Sequence, residues 1–561
     1  MKNGKKNLTI LRRTIMQIQR FKNSFSENIF RFKYAQGPED TWDALADRLV
    51  EDVCGSRWGK DRPLMSEDER TQLAQYIKEF KFVPGGRYLW YAGRKNSYFN
   101  NCFLLRAEED TREEWAALTQ RAVSCLMTGG GIGIDYSILR PSGKPLSRTG
   151  GLSSGPIPLM QMINEVGRGV MQGGSRRSAI YASLNWLHED IPAFLNAKNW
   201  DEETKARKDK DFNAPAPLDM TNISVNYDDK WLYNADRAKL HTFVQNCRQA
   251  MMTGEPGFSF NFGDKQNETL RNACTEVTSA DDSDVCNLGS INMSNIKDLE
   301  EFKSIVSLGS KFLVCGTLRA DLPYDKVSKV REKNRRLGLG LMGIHAWLLQ
   351  RGYDYEVTPE LHEWLKVYKD ESETAANEHC ERLYISKPVA YRAIAPTGSI
   401  GILAGTTTGI EPLFAVAYKR RYLTDGTKWK YEYVVDTTAD QLIKEYGLDP
   451  NKIQTAYGLS HDFEKRIKFQ ADIQDYVDMS ISSTINLPAW GSKGNSESDV
   501  ERFAETLSKY APRLRGFTCY PDGSRGGQPL TEVPYEEAIK HKGVVFEENV
   551  DRACTSGVCG I

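Results

Sequence analysis

The chain has 561 residues, 40% of them hydrophobic, enough for a large core in one big domain with an appendage or in several modules. Its 74 Lys and Arg balance 75 Asp and Glu with no long block of one sign, which leaves no electrostatic footprint for nucleic acid or a membrane surface. The uncharged run 393–410 is broken by Pro396 and by Gly, Ser and Thr, unlike a spanning helix, and the start, Met1-Lys2-Asn3-Gly4-Lys5-Lys6, leads into no apolar stretch of a secretory signal, so a cytoplasmic location is expected.

The first ~95 residues read as helical: in 42–53 and 67–80 apolar residues recur at helical spacing between charges. Short β-prone runs then follow, Cys102-Phe103-Leu104-Leu105, 180–186, Asn222-Ile223-Ser224-Val225 and Phe258-Ser259-Phe260, separated by helical stretches and Gly-rich turns. One helix has plain start signals, Thr358 as N-cap and Pro359 at the first position, with Leu361, Trp364, Leu365 and Tyr368 on one face. Strands alternating with such helices predict one large α/β domain, with a barrel as the favoured form. From about Gly526 the chain turns polar and reads as a flexible extension. The expected organisation is therefore a helical region over 1–95, a catalytic domain over 96–525 and a tail over 526–561.

Eleven cysteines without a single Cys-x-x-Cys argue against a zinc ribbon or knuckle, and no metal site is expected. Cys554 and Cys559 lie on the Gly/Ser-flanked tail, where thiol–disulfide exchange has access, so they read as a redox carrier. Gly338-Leu339-Gly340-Leu341-Met342-Gly343 matches a dinucleotide fingerprint, but 327–336 before it is charged and helix-like, which favours close helix packing. The cluster Thr128-Gly129-Gly130-Gly131-Ile132-Gly133 lets backbone approach either a ligand or a neighbouring strand. Ala395-Pro396-Thr397-Gly398-Ser399-Ile400-Gly401 suits a phosphate cradle or an ordinary turn. In Asn272-Ala273-Cys274-Thr275-Glu276, period-two spacing on an extended segment puts an amide, a thiol and a carboxylate on one face. The other reading is a buried cysteine between polar surface residues.

Read in order, the segments 129–140, 272–276 and 396–411 resemble the catalytic large chain of ribonucleotide reductases. The likeness also takes in Pro84-Gly85-Gly86-Arg87, Asn101-Cys102, Gln172-Gly173-Gly174-Ser175-Arg176-Arg177, Cys286-Asn287-Leu288-Gly289-Ser290-Ile291-Asn292 and the Cys554/Cys559 tail. The resemblance implies a ten-stranded α/β barrel with the radical cysteine on a central loop. Cys274 would become the thiyl radical that removes the ribose 3′ hydrogen, Glu276 would accept the 3′-hydroxyl proton, and Asn272 would orient the sugar. Cys102 and Cys286 would supply the electrons and end as a disulfide, re-reduced by Cys554 and Cys559 and then by thioredoxin or a similar reductant. It further implies that Asn101, Pro396, Thr397, Gly398, Ser399 and Ile400 bind a ribonucleoside di- or triphosphate. Asp110 and Arg140 would hold a deoxynucleoside triphosphate effector, and 197–212 would be a loop relaying its identity. No counterpart of the family's N-terminal ATP-sensing module is recognisable in 1–95, so overall on/off regulation is expected to be absent.

The radical source is also addressed. Oxygen-dependent members of the family receive the radical from a metal subunit through two adjacent tyrosines, and here Cys519 stands where the first of them belongs. The strings Tyr520-Pro521-Asp522-Gly523-Ser524-Arg525 and Ser483-Thr484-Ile485-Asn486-Leu487-Pro488 resemble the adenosylcobalamin-dependent subclass instead. The alternatives are an oxygen-dependent large subunit and a catalytically idle nucleotide-binding homologue. A homodimer is the expected assembly.

Overall fold

Caps and apolar stripes set the N-terminal helices. In the structure, a computed structural model describing residues 20–55, 62–148, 150–170, 178–211, 214–424, 428–524 and 530–547, helices α1 (Ser24–Lys33), α2 (Trp42–Cys54) and α3 (Glu67–Lys78) start at Asn23, Thr41 and Ser66. Each cap side chain accepts a backbone N–H of the first turn, and Ser66 with Glu69 forms a reciprocal capping box. Trp42 stacks on Phe80 at 4.7 Å, and Phe21 and Phe30 pack around the pair.

The strands are β1 (Phe82–Pro84), β2 (Cys102–Arg106), β3 (Gly131–Asp135), β4 (Ile180–Asn185), β5 (Thr221–Tyr227), β6 (Gly257–Phe260), β7 (Leu270–Arg271), β8 (Thr278–Ser279), β9 (Asp284–Asn292), β10 (Leu337–Met342), β11 (Ala417–Thr424), β12 (Lys428–Val435), β13 (Thr484–Leu487), β14 (Gly516–Pro521), β15 (Leu530–Glu532) and β16 (Val545–Glu547). One ten-stranded sheet carries the fold. Its first half, β2 to β6, is parallel throughout. In the second half β9 pairs β10 and β13 pairs β14, again in parallel. The halves meet antiparallel at β2/β9 and at β6/β14. The ring closes through the extended segment 390–394, where Arg392 bridges Leu339 of β10 and Ile394 bridges Ile481, just ahead of β13. Helices cover the outside, as a sheet buried on both faces requires. The helix Pro359–Leu383 starts on the predicted cap, Thr358 Oγ1 accepting from Leu361 N at 3.2 Å. It buries Leu361, Trp364, Leu365 and Tyr368, each contributing about 1.5–3 kcal/mol by removal from water.

The ten-stranded α/β barrel expected from the sequence is the fold observed. Several local expectations differ. β1 lies within 1–95 yet joins the barrel sheet through β9. In the segment expected to be a flexible tail, β15 and β16 flank the β11–β12 hairpin to make a four-stranded antiparallel sheet, with the helix Tyr535–Lys540 between them. Gly338 to Met342 run along the wholly buried strand β10, which packs on the helix Leu299–Arg319, so the expected helix packing is present but is made by a strand. A Cβ at Gly340 would lie 2.6 Å from the Ala393 carbonyl, so glycine there serves strand closure. The proposed relay loop, 197–212, contains a helix, Glu202–Lys210, capped by Asp201.

Candidate active site

A loop enters the barrel between β7 and β8, whose two-residue arms pair antiparallel. Arg271 anchors it: fully buried, it donates to Asn261 Oδ1 at 2.7 Å, to Arg515 O at 3.0 Å and to Glu268 O at 2.8 Å. Gly133 of β3 makes room, since a Cβ there would come within 1.6 Å of the Arg271 carbonyl. The glycine cluster is thus used for close approach of backbone.

Asn272, Cys274 and Glu276 all line one cavity, but not by extended alternation. Thr275 has φ +70° and its N–H bonds the Asn272 carbonyl at 2.9 Å, so the segment turns back on itself. A non-glycine residue in the left-handed region costs roughly 1–2 kcal/mol, which the anchored arms offset. The turn exposes Cys274 and buries Asn272 and Glu276.

The Asn272 amide donates to Glu276 Oε2 at 2.8 Å and to Cys102 Sγ at 3.0 Å, and Cys102 Sγ lies 4.0 Å from Glu276 Oε1. Cys102 and Cys286 sit directly opposite each other in the β2/β9 pair, which puts their Cβ atoms about 5 Å apart. Burial raises the Glu276 carboxyl to about 7, against the opposing hydrogen bond from Asn272. Burial, with the Glu276 carboxylate beside it, also pushes the Cys102 thiol well up, and burial with Asp284 does the same for Cys286. At neutral pH the site holds a carboxyl poised to give or take a proton, next to two thiols kept protonated as hydrogen donors.

The cavity, about 470 Å³, extends from this cluster to Pro396, Thr397, Gly398, Ser399 and Ile400 at the start of helix α4 (Gly398–Ala404). Thr397 has φ +50°, and its hydroxyl accepts from Gly409 N at 2.8 Å. No atom lies within 4 Å of where a Gly398 Cβ would stand, so space remains in front of this segment. Asn101 lines the same cavity with its Oδ1 buried and unpartnered, a polar atom suited to a ligand. Asp110 and Arg140 are not among the lining residues. They form an ion pair, Nε to Oδ2 at 2.5 Å, with side chains 24% and 36% exposed. Cys519, on β14, is buried, and its thiol is pushed up to about 12 by that burial. Cys554, Cys559 and 172–177 lie outside the described residues. The sequence reading missed Tyr34, which reaches the cavity from just past α1, and Lys33, whose Nζ donates to Ser399 Oγ at 3.0 Å. No motif marks either residue.

The family model described as ribonucleotide reductase, barrel domain, matches residues 100–249, 245–365 and 389–511. The chain belongs to the ribonucleotide reductase family. A vitamin B12-dependent ribonucleoside-diphosphate reductase of Mycobacterium tuberculosis is 26% identical over 561 aligned residues, covering 88% of this chain and 78% of that one. Among solved structures, a B12-dependent (class II) ribonucleotide reductase aligns at TM-score 0.68 and 16% identity over 92% of this chain and 93% of that one. The class Id ribonucleotide reductase alpha subunit of Actinobacillus ureae aligns at the same TM-score and 17% identity, over 89% and 97%. The ribonucleotide reductase barrel is therefore shared by both subclasses, and its shape does not choose between them. Among the described residues no helix is long and apolar enough to cross a membrane.

Proposed function

We propose that this chain reduces ribonucleotides to 2′-deoxyribonucleotides with adenosylcobalamin as radical source. The observation that carries the reading is one cavity lined by Cys102 together with Asn272, Cys274 and Glu276, with Cys286 buried directly across the β2/β9 pair from Cys102. Cys274 is the exposed member of the three thiols, and exposure of that sulfur fits a bulky group that cannot enter the cavity. Bound cobalamin would supply the one-electron chemistry that removes hydrogen from the Cys274 thiol. The name of the M. tuberculosis relative supports this choice, as does the buried thiol of Cys519 in place of a tyrosine.

In the proposed reaction the Cys274 sulfur takes the 3′ hydrogen while Glu276 accepts the 3′-hydroxyl proton and Asn272 orients the sugar. The 2′-hydroxyl leaves as water with a proton from Cys102. Cys102 and Cys286 lose two electrons and form a disulfide as the Cys286 hydrogen ends on C2′, Glu276 gives its proton back to the 3′ oxygen, and the Cys274 sulfur returns the 3′ hydrogen. The balance is ribonucleotide plus two thiols to deoxyribonucleotide, disulfide and water. Pro396 to Ile400 hold the phosphates, and Asp110 with Arg140 takes a deoxynucleoside triphosphate effector in a homodimer in the cytoplasm.

Purified chain with ribonucleotide, a small dithiol and adenosylcobalamin is expected to form deoxyribonucleotide, with only background when the cobalamin is left out. Product that instead requires an added metal-containing subunit would establish the oxygen-dependent reading, and nucleotide binding without turnover under either condition the idle homologue. Cys554 and Cys559 are proposed to re-reduce the Cys102/Cys286 disulfide. Changing both to Ser should abolish turnover with thioredoxin and preserve it with the small dithiol; equal loss with both reductants contradicts the carrier role.

A further inference from the structure

Helix α1 lies antiparallel along α4. Lys22 Nζ donates to Gly405 O at 3.0 Å and Ser26 Oγ to Ile402 O at 2.6 Å, satisfying carbonyls at the C-terminal end of α4. At the other end Lys33 Nζ donates to Ser399 Oγ at 3.0 Å, and Tyr34, the next residue, lines the cavity together with Ser399. The N-terminal helical region is thus one wall of the cavity.

The contact has a fixed direction. An ammonium only donates, so the Ser399 oxygen is the acceptor and its own proton must go to another group. A ligand oxygen in the cavity is such a group. The segment 396–400 offers hydroxyls and backbone N–H but no net charge, whereas a nucleoside di- or triphosphate brings several negative charges. Arg87 also lines the cavity and keeps its charge while donating to the Thr128 carbonyl at 2.8 Å, whereas Lys33 is in direct contact with Ser399 of the 396–400 segment. Lys33 therefore supplies a full positive charge at the segment that lacks one, and lysine binds phosphate as a point charge.

We infer that Lys33 binds the phosphate chain of the substrate, directly and by polarising Ser399, so that the N-terminal helix takes part in substrate recognition. The inference rests on the reading of the cavity as a ribonucleotide site. It requires nothing of the radical chemistry.

Equilibrium dialysis with CDP and with cytidine separates the possibilities. Lys33→Met should weaken CDP binding about tenfold, or about 1.4 kcal/mol, with cytidine binding unchanged. Lys33→Arg should restore most of the CDP affinity, and the wild-type advantage should shrink at 0.5 M salt as the charge is screened. Equal weakening of CDP and cytidine would mean that Lys33 merely holds α4 in place, and it overturns the inference. So does a Lys33→Met variant that keeps the wild-type preference for CDP, which leaves the ribonucleotide site itself intact. A wild-type chain that binds CDP no better than cytidine overturns both.

Discussion

Replacing Cys274 by Ser is expected to lower ribonucleotide reduction by about 10⁴-fold or more, with thermal stability and CDP affinity within error of wild type. The size follows from chemistry. A serine O–H bond is far stronger than an S–H bond, so the hydroxyl neither yields its hydrogen under conditions that activate the thiol nor serves as the hydrogen-abstracting group. The sparing of stability follows from position. Cys274 is exposed at the tip of its turn, while Asn272, Thr275 and Val277 hold the loop by bonds that do not use the sulfur. A surface exchange of one atom at such a place stays within about 0.5 kcal/mol. Deoxyribonucleotide yield and a melting curve on the same preparation decide the matter, and a Cys274→Ser variant retaining wild-type turnover would remove Cys274 from the chemistry.

What could be read before the fold was known depended on whether the information is local. The alternation of strands and helices is local, and so is the cap at Thr358, and both appear as expected. The cluster Asn272 to Glu276 is also local in composition, but its geometry is not. A period-two template assumes extended backbone, whereas Thr275 is held in a turn by arms anchored through Arg271 to distant segments. The opposition of Cys102 to Cys286 is a matter of β2/β9 register, which no spacing along the chain reveals. Family resemblance named the pair; only the fold puts them face to face. Polar composition after Gly526 concealed β15 and β16 because their pairing comes from hydrogen bonds to a remote hairpin. Lys33 belongs to no motif, and its meaning depends on which helix end it meets.

Glu276 carries the second large effect, and its sign can be worked out. Burial places the folded-state carboxyl at about 7, against 4.5 for the unperturbed group, and no cation compensates among the causes of that shift. As the proposed base it must be ionised. Turnover should therefore rise about tenfold per pH unit up to about 7 and level off above it. Glu276→Gln should lower turnover by about 10²–10⁴-fold and abolish this rise. The same shift makes an opposite prediction for stability. Below about 4.5 both folded and unfolded states hold the proton, and the group contributes nothing. Between about 4.5 and 7 the unfolded state has lost the proton that the folded state retains, so stability falls as pH rises. Above 7 the cost is complete, on the order of 3 kcal/mol. Gln avoids that cost and can still accept from the Asn272 amide, the contact that Glu276 Oε2 makes at 2.8 Å. The inactive variant should accordingly unfold at a higher temperature than wild type at pH 8 and at nearly the same temperature at pH 4.5. Parallel melting curves for the two proteins across that range would mean that the carboxylate is stabilised within the fold, and a base with a pKa near neutrality would then be untenable.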